Sequence, residues 1–568
     1  MILHAGPVQM LYESGFLRYI TYGETEILRM IYFALRDENW ATLSLQTEQE
    51  VTDIQADHFT IEYDAYHEKD GRRIFQWRVS ISGFADGSLE FMIRGRALTD
   101  LLKNRAGFCI LHPISAARQP CKILHPTGAV SKSFFPDQVD PVNPFKLIRG
   151  FQWEAGGRWY SLDFEGDLFE TEDQRNWSDA SFKTFCTPLS LPFPVKLHTG
   201  ETVFQKVQFK PLETLAALRT PDPTIKIRST HRRFPTPRIG TGASTEIGSL
   251  DPETLAVLRS LQLDHYRIDL NLSRPAWEAE GLREYQNSVS LGCSPYFALH
   301  LTAPCLHQIE RFIGFCHSHR IRPQYILLLS EDHPVTSPDA LSCLPVIRSA
   351  FTEAKTGAGT DFNFTEINRH RMETSGLDFV SFSVNPQVHA FDDRTLIENT
   401  GSLEELVLSA KHKFGANMGI HISPITLRMR RNPNATDPEK RNFTNQQKTD
   451  PRQKTFLGAA YALGSLKRLA LGGCEAVTLY QSAGNQGLLS AEGEAYPVFH
   501  ALKTWLGSCG ELIETLSSQP LILDALLLDK EGRKKLILIN YANTTQVAEF
   551  EGALFTLSPH EIRTLDCP

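Results

Sequence analysis

The residue types best suited to chemistry stand just past short apolar runs in the middle of the chain. Asp269 and Asn271 close HYRIDLNL (265–272), His300 and Thr302 close PYFALHL (295–301) and its following loop, and Glu331 ends QYILLLSE (324–331). Glu366 and Asn368 follow TDFNFT, and Asn385, Gln387 and His389 follow DFVSFSV in the run FSVNPQVHAFDD (382–393). His421 and Ser423 close NMGIHIS (417–423), and Tyr480 and Gln481 lie in AVTLYQS (476–482). Carboxylates and imidazoles move protons, whereas amides and hydroxyls hold polar ligands. Glu331 and Glu366 each follow a largely apolar stretch, so desolvation is expected to raise both carboxyl pKa values towards neutrality and make them a proton-exchanging pair. His389 suits an acid, a base or a hydrogen-bond donor. These three are the expected catalytic groups. Asp269, Asn271, His300, Asn368, Asn385, Gln387, His421, Tyr480 and Gln481 are the expected substrate-binding groups. For each one the plainer alternative is a helix cap or a loop-fastening residue.

A metal is the other use for such residues, since His300, Glu331, Glu366, His389 and His421 could converge. No H-E-x-x-H or similar close pair is present, so neither a metal nor any other cofactor is expected. The ten cysteines are scattered with no C-x-x-C pair, which reads as reduced thiols rather than a zinc ribbon or disulfide scaffold.

Positioning these groups requires a repeated element. From 238 to about 507 the pattern alternates strand and helix, and eight strand candidates can be read: 238–244, 265–272, 295–301, 324–331, 360–366, 378–385, 417–423 and 476–482. Helical spacing fills the gaps, as in SLEELVLSAKHKF (402–414) and KTFLGAAYALGSLKRLAL (454–471). Eight β/α units in about 270 residues predict a (β/α)8 TIM barrel, whose chemistry sits at the carboxyl ends of its strands. A doubly wound sheet is the rival, but no Gly-x-Gly-x-x-Gly opens a helix after the first strand. Glu475 precedes the eighth strand and is expected to stabilise the closed face. The basic loop 426–454, with Arg428, Arg430, Arg431, Lys440, Arg441, Arg452 and Lys454, reads as either a solvated surface or a lid.

On either side the pattern is β. Up to about residue 217 short alternating runs are closed by turn signals, as where Asp86-Gly87 divides FQWRVSISGFADGSLEFMIRGRAL (75–98). The expected fold is therefore multidomain, α/β plus all-β. It has an antiparallel β-sandwich-like domain over 1–217, a Pro- and Arg-rich linker over 218–237, a barrel over 238–509 and a small β domain over 510–568. The 568 residues are 41% hydrophobic and 22% charged, ordinary for globular chains. A net charge of −8 argues against nucleic acid or an anionic membrane as general partners. The opening MILHAGPVQMLYESGF has no basic flank followed by an apolar core, and no run approaches the ~18 apolar residues of a spanning helix. A cytoplasmic protein acting on a small molecule is expected; the oligomeric state is open.

The blocks LRYITYGETEILRMIYFALRDENW (17–40), FETEDQRNWSDASFKTF (169–185), FSVNPQVHAFDD (382–393) and TDPRQKTFLGAAYALGSL (449–466), in this order, resemble the D-apionate lactonases of bacterial apiose catabolism. The resemblance implies a β domain, a glycosidase-like barrel and a C-terminal β domain. It also implies hydrolysis of a five-membered sugar lactone, D-apionolactone, to the open-chain acid D-apionate, and it carries no residue assignment. Lactone opening needs a base for water, donors for the oxyanion and an acid for the departing alkoxide. Either Glu331 or Glu366 is expected as the base and the other as the acid, with His389 and Asn385 at the oxyanion. A retaining glycoside hydrolase is the runner-up, because Ser330-Glu331 resembles the acid position of barrel glycosidases. The run His421-Ile-Ser-Pro424, where those enzymes commonly place the nucleophile, departs from that pattern. A non-catalytic carbohydrate-binding protein is the third reading.

Overall fold

The run FTIEYDAYHEK shows how the first part of the chain folds: Phe59, Ile61, Tyr63, Ala65 and His67 are buried while the residues between them face outward. In the computed structural model, which describes residues 1–216, 224–431 and 442–567, such strands form two nine-stranded sheets. The Asp86-Gly87 turn joins Arg72–Gly83 to Leu89–Ala97 as a hairpin in which Gly83 faces Leu89. Gly87 takes a φ of 90°, a conformation that strains any residue with a Cβ. One hydrophobic core serves both sheets. Phe33 of one meets Trp77 of the other with ring centroids 5.1 Å apart. The expected antiparallel N-terminal fold is thus present.

The chain divides into two compact units, and the short segment Arg175–Ala180 groups with the second. That unit contains eight parallel strands: β1 (Arg238–Gly242), β2 (His265–Asn271), β3 (Ser294–Leu301), β4 (Tyr325–Ser330), β5 (Lys355–Gly359), β6 (Phe379–Val384), β7 (Gly419–Ile425) and β8 (Ala476–Ala483). Pairing of β1 with β8, Ile239 opposite Val477, closes them into a barrel. A short strand, Gly487–Leu489, extends the sheet beside β8. Near the amino ends the interior is filled by Tyr296, Tyr325, Phe379 and His421, with Tyr296 and Tyr325 5.2 Å apart. Glu475 ion-pairs with Arg238 at 3.0 Å and Lys355 at 2.6 Å at this closed face.

Two expectations are corrected. The fifth strand is KTGAG rather than TDFNFTE, whose second half is the helix Phe364–Arg369. A Cβ on Gly357 would lie 2.2 Å from the Phe379 ring, and one on Gly359 1.8 Å from the Ser381 carbonyl. This strand is small because its neighbour fills its space, and it therefore carries no apolar signal. Within the expected linker, Ile225–Pro235 is a strand of a seven-stranded sheet. It pairs antiparallel with Glu511–Ser517 and parallel with Gln546–Phe550. Ile225 and Ile227 enter that sheet's core beside Leu523 and Leu538. Residues 218–223 of the expected linker lie outside the described residues. No described helix is long and apolar enough to cross a membrane, and all ten cysteines are free thiols.

Candidate active site

Residues two apart on a strand share a face, so Arg267 and Asp269 of β2 both project into the mouth of the barrel. Arg267 is 1% exposed and donates to Asp269 from Nε (3.1 Å) and Nη2 (2.6 Å). The same Nη2 reaches Asp361, in the loop after β5, at 3.0 Å, while Nη1 donates to the Ser423 hydroxyl on β7 at 3.1 Å. Beside them His300, the penultimate residue of β3, is held at both nitrogens: Nε2 lies 3.1 Å from Asp269 Oδ1 and Nδ1 lies 2.9 Å from Glu331 Oε1. A continuous chain results, Glu331–His300–Asp269–Arg267–Asp361, drawn from β2, β3 and the ends of β4 and β5.

Arg430 and Arg431, in the loop after β7, bring cations onto this chain; Lys440 and Arg441 of the expected basic loop lie outside the described residues. Arg430 donates to Asp361 at 2.7 Å and lies 3.6 Å from Asp269. Arg431 meets Glu331 at 3.4 Å, and its guanidinium lies over the Phe362 ring, 4.9 Å from the centroid. Arg431 Nε is buried with no protein partner among the described residues. Asp269 and Glu331 keep 33% and 25% of their side-chain surface exposed, so these two carboxylates remain accessible to a ligand while Arg267 and Asp361 serve as their support. Lys448, from the same long loop, lies close enough to feel the charges of Arg430, Asp361 and Asp269. Burial pushes its amine below the usual lysine range.

The protonation pattern follows from this geometry. Burial alone disfavours an imidazolium at His300, but the hydrogen bonds to Asp269 and Glu331 outweigh it and push its pKa up to about 9. For Glu331 the His300 hydrogen bond is the largest effect and outweighs burial; with the charges of His300, Arg431 and Arg274 it takes the carboxyl down to about 2. Burial opposes ionisation of Asp269 too, yet Arg267, Arg430 and His300 hold it well below the usual carboxylate range. At neutral pH the site contains ionised carboxylates around one imidazolium. This reverses the expectation for Glu331: desolvation is present, but adjacent cations dominate.

A second constellation forms where the loop after β6 meets Arg175–Ala180. His389 Nδ1 lies 2.6 Å from Asp179 Oδ2. Asn399 fixes that aspartate by donating to its Oδ1 at 3.2 Å while accepting from the Ala180 amide at 2.9 Å. The Trp177 ring stands edge-on to His389, centroids 5.5 Å apart. With Nδ1 engaged by the carboxylate, Nε2 is the nitrogen left to accept a proton. This loop is joined to the one after β5 by Asn385 Nδ2 donating to Asn363 at 3.1 Å.

The remaining expected site residues take other places. Glu366 lies on the helix Phe364–Arg369, with His370 3.5 Å from its carboxylate, and burial raises its pKa. Asn368, on the same helix, donates to Asn176. Neither stands at a strand end, because the fifth strand ends earlier. Asn271 accepts from the Ser273 amide and hydroxyl and so closes its own turn. Gln387 fastens the long loop, donating to Leu427 O and Asp450 and accepting from Arg452. Gln481 accepts from the Thr245 amide and joins β8 to the loop after β1. His421 is corrected most sharply. Since β7 runs on to Ile425, His421 lies deep in the barrel, stacked on Phe379 at 3.9 Å, and burial drives its pKa well below the usual histidine value. Tyr480 also leaves the mouth, its hydroxyl donating to Gly458 O in the helix Phe456–Gly472.

Residues 1–214 match the D-apionate lactonase N-terminal domain, and residues 239–510 match the D-apionate lactonase TIM barrel domain. The chain belongs to the D-apionate lactonase family. A D-apionate lactonase of Brucella anthropi is 27% identical over 599 aligned positions, covering 99% of this chain and 96% of the relative. Among solved structures, a monomeric β-xylosidase from Caulobacter crescentus is similar with a TM-score of 0.39, 13% identity and coverage of 56% of this chain and 77% of that one. A GH30 endoxylanase from Clostridium papyrosolvens gives 0.40, 8% identity, and coverage of 61% and 97%.

Within this lactonase-family barrel, sequence reasoning brings Asp269, His300 and Glu331 to one place and misses Arg267, Asp361 and Asp179. Arg267 carried a signal, two residues before Asp269 on one strand. Asp361 was hidden by the misplaced fifth strand. Asp179 is 210 residues from His389 and no local pattern joins them.

Proposed function

We propose that this protein hydrolyses a sugar lactone at the barrel mouth, and that the substrate is the lactone of D-apionate, the acid in the name of its Brucella anthropi relative. The observation that carries this reading is the imidazolium of His300 held between two ionised, partly exposed carboxylates and flanked by Arg430 and Arg431. Such a site holds polyol hydroxyls on Asp269 and Glu331. It also presents fixed positive charge to an oxyanion and to the carboxylate product.

In the proposed reaction His389 Nε2 takes a proton from water as the water oxygen attacks the lactone carbonyl, and Asp179 holds the resulting imidazolium. The carbonyl oxygen becomes an oxyanion, met by the arginine N–H donors. The ring C–O bond then breaks, the alkoxide takes the proton from His389, and the open-chain acid is left. These roles differ from those expected of Glu331 and Glu366: a carboxylate with a pKa of about 2 is a poor acid or base near pH 7, and Glu366 stands on a helix. The same depressed value disfavours glycoside hydrolysis, which requires a protonated carboxylic acid beside the leaving oxygen.

Incubation with a panel of five- and six-membered sugar lactones, followed by acid release on a pH-stat, tests the reading. Turnover of a five-membered aldonolactone is expected. Cleavage of aryl glycosides with no lactone opening would overturn it.

A further inference from the structure

The outer face of one N-terminal sheet carries a groove of ≈530 Å³ that the barrel chemistry does not use. Its floor is one cross-strand row, in which Glu48 stands opposite Asp64, Asp64 opposite Arg78, Arg78 opposite Arg94, and Arg94 opposite Phe204. The row is polarised. At its acidic end Arg78 pairs with Glu62 at 2.6 Å and Asp64 at 3.2 Å, and Arg73 forks onto Glu48 at 2.8 and 2.9 Å. At the other end Arg94 and Arg96 have no carboxylate or hydrogen-bond partner among the described residues, although both line the groove. Arg94 lies against Phe204, 5.4 Å from the ring centroid, and Phe204 is 40% exposed at the basic end of this charged strip.

We propose that this groove binds a small sugar carboxylate. The two unpaired guanidinium groups match an anion whose geometry suits their planar N–H forks. Phe204 offers an apolar platform for the C–H face of a sugar, and Gln76 and Thr202 line the same groove with groups that can pair with hydroxyls. The volume is that of a small-molecule site. This inference is independent of what the barrel hydrolyses.

Isothermal titration of the full chain with D-glucuronate, D-glucose and acetate tests it, with lactone turnover measured in parallel. D-glucuronate is expected to bind at least tenfold more tightly than either control, because only it carries both the ring and the charge. The Arg94→Ala/Arg96→Ala variant is expected to lose this binding event at least tenfold while turnover is unchanged, and His389→Gln is expected to retain it. Arg94→Lys/Arg96→Lys keeps the charge without the fork and controls for folding; intermediate affinity is expected. Equal binding of acetate or glucose would overturn the proposal, as would a D-glucuronate isotherm unaltered by the double alanine variant.

Discussion

His300 Nδ1 lies 2.9 Å from Glu331 Oε1, and this hydrogen bond helps keep the imidazole protonated up to about pH 9. If the imidazolium contributes positive charge to lactone opening, kcat declines above about pH 9 as that charge is lost. Glu331→Gln removes one of the two carboxylates that support it. The alkaline limb is then expected to move down by roughly 1–2 pH units. A limb that stays near pH 9 in Glu331→Gln would remove His300 as its source.

The same pair sets a stability window. His300 has a folded pKa above its unfolded value of about 6.5, so its contribution is full below pH 6.5 and is lost as pH rises through about 9. Glu331 is depressed to about 2, so its contribution is full above about pH 4.5 and is lost as pH falls through 2. The contribution of this pair is therefore full between about pH 4.5 and 6.5, and urea unfolding should show about 3 kcal/mol lost between pH 6.5 and 9.5 from His300 alone. His300→Asn should flatten the alkaline side of that curve.

Asp179 orients His389 across 210 residues of sequence. His389→Gln is expected to lower kcat by about 10²–10⁴ with KM changed by less than about threefold, since the base acts in the chemical step rather than in binding. Asp179→Asn should lower kcat in the same way. A parallel rise in KM with kcat unchanged would place His389 in substrate binding instead.

The barrel was legible because strands such as β3 and β4 carry apolar runs between helix-spaced segments, whereas β5 carries none because two glycines make room for Phe379 and the Ser381 backbone. Misplacing that strand sent Glu366 to the mouth and kept Asp361 from view. His421 misled for a related reason: a histidine near an expected strand end looks functional until β7 is seen to continue to Ile425. The direction of the Glu331 pKa was not legible, since desolvation can be inferred from neighbouring residues in sequence but Arg431 and His300 arrive from other elements. The strand Ile225–Pro235 was obscured by its prolines and arginines, which suit an edge or linker as readily as a paired strand.

Arg267 is the buried cation that bridges Asp269 and Asp361, donating to both from one guanidinium nitrogen. Arg267→Met fills similar space but leaves Asp361, 4% exposed, with Arg430 as its remaining charge partner among the described residues. The expected loss is about 3–5 kcal/mol in urea unfolding at pH 7, shrinking as acid protonates Asp269. A loss under about 1 kcal/mol would show that this ion pair does not organise the site.

His421 separates a histidine of the core from one of the site. Its ring stacks on Phe379 at 3.9 Å, Nε2 is buried without a partner among the described residues, and burial keeps the imidazole neutral. Because its folded pKa lies far below the unfolded value of about 6.5, acid favours the unfolded chain, and stability drains away as pH falls below 6.5. His421→Phe conserves the stacked ring and removes that titration, at the cost of the 3.3 Å hydrogen bond with Tyr296. At pH 7.5 the variant should lie within about 1.5 kcal/mol of the parent. By pH 5 the difference should move in the variant's favour, and kcat should stay within about threefold throughout. A hundredfold fall in kcat with stability intact would return His421 to the active site and overturn its placement in the core.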